Sequence, residues 1–211
     1  VMEKNGVKGT VALNGEVVRY YPRIMQELAR LQWELMGHGL TNSAFLTGLA
    51  KEQEAAIIAQ TKAIIEEQGQ SMRGWLGPGL TETWHTLDLL RAHGVEYVCD
   101  WVNDDLPYRM NNGLYSIPYS LELNDMPLFN LPSIDIDEFY RRICETFDVL
   151  CEEGRKNGRV MAIGLHPFLI GVPHRIRYLD KALRYIASHP KVWFATGSEI
   201  IQAYRRQEKL A

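Results

Sequence analysis

Strand-like apolar runs alternate with helix-period segments along the whole chain, and this alternation restricts the fold more than any other feature. Val7–Asn14 predicts a strand, Tyr20–Gln32 a helix with Pro22 in its first turn, and Trp33–Gly37 a short strand. Ala50–Gln68 predicts a helix with Ile57, Ile58, Ile64 and Ile65 on one face and Gly69 as its stop. Ser71–Trp75 predicts a short strand, and Thr81–His93 a helix capped by Thr81 and ended by Gly94. Val95–Trp101 and Leu114–Leu121 follow as strands, the second holding Pro118, and Leu123–Ser133 as a loop. Asp135–Asn157 predicts a helix with Phe139, Ile143, Phe147 and Leu150 at helical spacing. Val160–Leu165 (strand), Tyr178–Ser188 (helix), Lys191–Thr196 (strand) and Ser198–Gln207 (helix) complete the order. About seven strands and six helices in this arrangement point to an α/β fold, a parallel sheet wrapped by helices, open or closed. No composition shift divides the chain, so a single domain over residues 1–211 is expected.

Composition removes several function classes. The net charge is −3, from 23 Lys+Arg against 26 Asp+Glu, so a basic surface for nucleic acid is not expected. No apolar run approaches the ~20 residues that cross a bilayer, and no signal peptide is visible, so a cytoplasmic protein without membrane partners is expected. Cys99, Cys144 and Cys151 are too few and too irregular for a disulfide framework and read as buried reduced thiols. Gly-x-Gly-x-x-Gly, P-loop, His-Glu-x-x-His and Gly-x-Ser-x-Gly patterns are absent.

In a barrel of parallel strands the chemistry sits at the C-terminal strand ends. Polar residues collect there: His38 in Gly37-His38-Gly39, Arg73 beside Gly74-Trp75, Asp100-Trp101, then Glu122, Asn124 and Asp125, and His166-Pro167. His38 suits a metal ligand, an acid–base residue or a hydrogen-bonded loop histidine. His166 suits a general acid or a capped structural histidine. Arg73 suits a carboxylate clamp or a plain surface pair. Trp75 and Trp101 suit apolar walls for a substrate, or buried core.

Taken in order, these motifs resemble the polysaccharide deacetylase family (carbohydrate esterase family 4, the nodulation-deacetylase homology domain), nearest to its allantoinase-like and peptidoglycan-deacetylase-like branch. His38-Gly39, Arg73-Gly74-Trp75, Asp100-Trp101 and Leu165-His166-Pro167 match its motifs. Ile117-Pro118-Tyr119, Glu122-x-Asn124-Asp125-Met126, Gly171-x-Pro173-x-Arg175-Ile176 and Val192-Trp193-Phe194-Ala195-Thr196 are similar to this branch. The resemblance implies a distorted (β/α) barrel and hydrolysis of a non-peptide carbon–nitrogen bond, in a small amide or an N-acetylated sugar. It implies that His166 protonates the leaving amine, that Asp100 orients His166, and that Arg73 orients a base. It further implies that Glu122 and Asn124 face substrate, and that the chain forms a homo-oligomer. His38 becomes the first histidine of a divalent metal site, such as a zinc site.

Three departures bear on that reading. The second metal histidine is expected four residues after His38, where Asn42 stands, and an amide oxygen is a poor replacement for imidazole on zinc. Gly164 replaces the leucine of the late histidine motif. The family's first motif, an Asp pair carrying the base and a metal ligand, is absent from the chain. The sequence therefore leads us to expect a family member without its first strand and with weak or no turnover. The alternative is a non-catalytic carbohydrate-binding or assembly module that keeps the deacetylase fold.

Overall fold

The computed structural model describes residues 1–130 and 134–208. The chain forms two compact units. Val1–Val7, Val102–Leu106 and Pro118–Phe194 form the first; Lys8–Trp101, Pro107–Ile117 and the chain from Ala195 onward form the second. The backbone passes between the units several times, so no single linker marks a boundary in the composition.

The second unit holds the sheet. Its strands are β1 (Thr10–Leu13), β2 (Glu34–Gly37), β3 (Gly74–Trp75), β4 (Tyr97–Val98), β5 (Tyr108–Arg109) and β6 (Tyr115–Ser116). They lie in the order β1-β2-β3-β4-β6-β5, and every pairing is parallel except β5 with β6. This is the α/β arrangement expected from the alternation. The helices of this unit are α1 (Gly15–Tyr20), α2 (Pro22–Leu31), α3 (Lys51–Glu66), α4 (Thr86–Ala92) and α9 (Gly197–Glu208). Trp75, Leu35, Leu46, Ile58, Ile65, Leu90 and Val98 form its core. Each such side chain contributes roughly 1.5–3 kcal/mol on burial.

The first unit is helical: α5 (Asp125–Phe129), α6 (Ile136–Glu153), α7 (Pro167–Ile170) and α8 (Pro173–Ala187). Phe139, Ile143 and Phe147 of α6 pack with Leu179, Leu183 and Ile186 of α8 around a second core. Asp135 caps α6 by accepting the Glu138 N–H at 2.9 Å, and Pro173 opens α8 where no amide donor is needed.

The structure corrects several expected boundaries. The helix expected over Tyr20–Gln32 is α2, which starts at Pro22, while an unexpected helix, α1, precedes it and ends at Tyr20. Pro22 drives the residue before it out of the helical region, and Tyr21 lies at φ −129°, ψ 64°. Thr81 does not cap α4, which begins at Thr86; its hydroxyl donates to the Pro78 carbonyl at 2.7 Å and accepts the Leu46 N–H at 3.0 Å. Within the expected loop Leu123–Ser133, Asp125–Phe129 is helical, and residues 131–133 lie outside the described residues. Val160–Leu165 is not a strand: only Gly164 pairs, in a lone parallel bridge with Asn124. Lys191–Thr196 forms no strand among the described residues, and β5 was not expected.

One close approach locks the sheet. The Tyr97 ring lies against Gly74 of β3, and a Cβ built there falls 2.1 Å from its Cζ, with no room to give. We expect Gly74→Ala to destabilise the fold by about 1–3 kcal/mol through overpacking. Urea unfolding checks this, and an unchanged midpoint refutes the packing account.

Candidate active site

The first unit builds one polar centre around His166. Its ring Nδ1 lies 2.7 Å from Asp125 Oδ1, and its backbone N–H donates to Asp125 Oδ2 at 2.8 Å. A carboxylate accepts only, so Nδ1 carries the proton and the lone pair sits on Nε2. Asp125 is fully buried, while the His166 side chain keeps 30% exposure. Local sequence explains the placement. Asn124 caps α5 by accepting the Met126 N–H at 2.9 Å, which starts the helix at Asp125. The Asp125 N–H donates to the Gly164 carbonyl at 3.0 Å, holding this turn beside the segment that leads into His166. The Asn124 amide also donates to the Tyr119 hydroxyl at 2.8 Å.

The carboxylate on His166 therefore belongs to Asp125 and not, as expected, to Asp100. Asn124 is buried and spent on capping rather than offered to substrate. Glu122 is exposed and accepts the Ser120 hydroxyl at 3.0 Å.

The second unit builds another centre at the C-terminal ends of β3 and β4. Asp100 follows β4, is 8% exposed, and takes the Gly77 N–H on Oδ1 at 2.6 Å. The Glu82 carboxyl lies within hydrogen-bonding reach of Asp100 and of the Trp101 side chain. Burial pushes the Asp100 carboxyl well above the usual carboxylate range; the Gly77 amide opposes this and Glu82 adds to it. Burial also raises Glu82, against the bonds from Asp100 and Trp101 and with the charge of Glu54. Glu54 is fully buried, and its oxygens accept the Thr83 and Thr86 hydroxyls.

The remaining expected residues are placed as follows. Trp75 is fully buried in the core and packs there instead of walling a substrate, whereas Trp101 is 41% exposed. Arg73 precedes β3 and pairs with Glu96 at 2.5 Å, and Arg205 holds the other Glu96 oxygen. Burial pushes Glu96 up, but the two guanidinium groups outweigh it and hold the carboxyl below its usual range. This pair lines a cleft of about 900 Å³ at the strand starts, with Lys8, Glu34, Lys62 and Glu66. Its charges are matched among themselves: Lys62 with Glu66 at 2.6 Å, and Glu34 with Tyr97 and Ser198.

His38 follows β2 half-buried, its Nδ1 donating to the Leu76 carbonyl, while Asn42 is exposed. Among the described residues no three His, Cys, Asp or Glu side chains are placed together to hold a metal ion. Among the described residues, the donors around His38 and Asn42 do not fit a divalent metal. Two site residues escaped the sequence reading of roles. Asp125 stood inside a quoted motif, where the Asn-Asp pair before a helix was the available signal. Glu82 carried no sequence signal.

Residues 1–98 match the family model for polysaccharide deacetylase. A Schizosaccharomyces pombe protein named as a polysaccharide deacetylase is 40% identical over 119 residues, half of this chain. The matched stretch covers only 37% of that relative's length. The crystal structure of a Pseudomonas aeruginosa protein, also named as a polysaccharide deacetylase, superposes with a TM-score of 0.89 at 29% identity. It covers 98% of this chain and 70% of that one. PuuE allantoinase gives a TM-score of 0.89 at 27% identity, over 97% of this chain and 70% of its own. The likeness to the polysaccharide deacetylases, and to their allantoinase-like branch, is borne out, as is the α/β fold.

Asp125 dictates the tautomer of His166, so ring ¹⁵N NMR should find Nδ1 protonated in the neutral imidazole. Asp125→Ala should abolish that preference and, by stranding the buried His166 N–H, destabilise the fold by about 1–3 kcal/mol. An unchanged tautomer in the variant contradicts the assignment.

Proposed function

We propose that this chain is a hydrolase of non-peptide carbon–nitrogen bonds, acting on a small amide or an N-acetylated sugar. The His166–Asp125 pair carries the reading. An amine is a poor leaving group until its nitrogen is protonated, so amide hydrolysis needs a positioned proton donor. With Asp125 holding Nδ1–H, Nε2 is the nitrogen that works. It takes a proton from the attacking water as the carbon–oxygen bond forms. It then delivers that proton to the departing nitrogen as the carbon–nitrogen bond breaks, leaving a carboxylic acid and an amine. The buried carboxylate favours the imidazolium that exists between the two transfers. The partly exposed ring gives that nitrogen a path to solvent and substrate. The names of the similar proteins, deacetylases and an allantoinase, support the same bond class.

The test is a panel of N-acetylated sugars, linear amides and ureides, read by released amine and acid. We expect turnover on at least one class, reduced by about 10²–10⁴ in kcat in His166→Ala. Turnover that survives this substitution at the full rate refutes the assignment of His166. No turnover on any class favours the non-catalytic module.

A further inference from the structure

We infer that Asp100 and Glu82 hold one proton between them in the folded protein, which makes Glu82 a positioning residue for the Asp100 carboxyl and the Trp101 indole. Nothing in the hydrolase reading above assigns Glu82 a part.

The geometry poses a problem that only a proton solves. Asp100 Oδ2 and Glu82 Oε1 are both buried, and neither finds a hydrogen-bond donor among the described residues. The two carboxyl groups are nevertheless within hydrogen-bonding reach of each other. Two ionised carboxylates at that distance repel and cannot bond, because each is an acceptor only. One proton converts the contact into a charge-assisted O–H···O bond and satisfies both orphaned oxygens.

The groups packed around the pair do not offer a cation instead. Glu54, from α3, is a third carboxylate, its oxygens already taken by Thr83 and Thr86. The buried Cys99 thiol is pushed well up, by burial first and then by the charge of Asp100 and Glu34. Gly77 supplies an amide and Trp101 an indole. Neither Asp100 nor Glu82 makes an ion pair among the described residues. Burial raises both carboxyls, in the direction a shared proton requires.

The pair acts as a clasp. Asp100 Oδ1 pins the loop after β3 through the Gly77 N–H, and the shared proton would tie the Asp100 carboxyl to Glu82 as well. Glu82 in turn holds the exposed Trp101. Losing the proton leaves two buried like charges in contact and opens the clasp.

The sign of the pH dependence follows. The proton is held more tightly folded than unfolded, so its contribution to stability is complete below the ordinary carboxylate range. It is lost as pH rises through the pair's own titration. Within that window one extra bound proton lowers the folding constant by up to about tenfold per pH unit. Glu82→Gln supplies a permanent N–H in place of the shared proton, and should keep the fold while removing this slope.

The experiment measures the full chain two ways. Carboxyl ¹³C NMR of Asp- and Glu-labelled protein across pH should show one carboxyl titrating above the ordinary carboxylate range, a titration lost in Glu82→Gln. Urea unfolding across pH should show the slope in the wild-type chain and its removal in Glu82→Gln. A wild-type titration in which neither carboxyl rises above the ordinary carboxylate range, or an equal slope in the two proteins, overturns the inference. If Glu82→Gln does not fold, the wild-type spectrum still decides. Neither readout involves turnover, so failure here is distinct from failure of the hydrolase reading.

Discussion

Tyr97 is the point on which the sheet unit turns. Its ring is almost completely buried between Gly74 and Gly197, two positions that a Cβ could not share with it. Its hydroxyl donates to Glu34 at the start of β2, 2.8 Å away. Burial and the charge of Glu34 push that hydroxyl well up, so it stays a donor. Glu34 also accepts the Ser198 N–H at 2.9 Å, while Gly197 donates to Thr10 at 2.9 Å. One aromatic ring and its carboxylate thus join β1, β2, β3 and β4 to the first turn of α9. With Arg73, Glu96 and Arg205 added, the strand starts form a closed polar network in which donors and acceptors match.

The strand ends of the same unit differ. Asp100 and Glu82 leave buried oxygens that the surrounding donors do not satisfy, and the Trp75 Nε1 is also buried without a partner. Stability arguments do not favour such groups, each costing about 1–3 kcal/mol when left unpaired. In parallel α/β folds the strand starts serve stability and the strand ends serve chemistry. Arg73, expected among the residues at the strand ends, belongs to the matched network at the strand starts.

Much of this was legible in the sequence where local rules decide. The isoleucines of α3, the helix that starts beside Asp135 and Pro22 in the first turn of α2 all act within a turn or two of chain. What was misread depends on partners remote in sequence. Val160–Leu165 has the composition of a strand, but a strand needs a neighbour, and only Gly164 finds one. Trp75 reads alike as wall or core until its surroundings are known. His166 was singled out from the sequence; its carboxylate was not, since Asp125 lies 41 residues away and the family resemblance pointed to Asp100 instead. Glu82 could not be found at all, because its significance lies only in what it faces.

His38 and His166 show why the partner decides the chemistry. Both use Nδ1 as a donor, so both carry the lone pair on Nε2 and present the same tautomer. His38 donates to the Leu76 carbonyl, a neutral dipole that orients the ring and does little more. His166 donates to a buried carboxylate that also grips its own backbone N–H. When Nε2 gains a proton the ring becomes a cation. The carboxylate meets that charge at 2.7 Å in a site of low dielectric, whereas a carbonyl meets it with a partial charge. A proton carrier must tolerate both forms in one position without the ring moving. Asp125 provides that at His166, and the Leu76 carbonyl does not at His38, which is why the proposed proton transfer is placed on the first histidine.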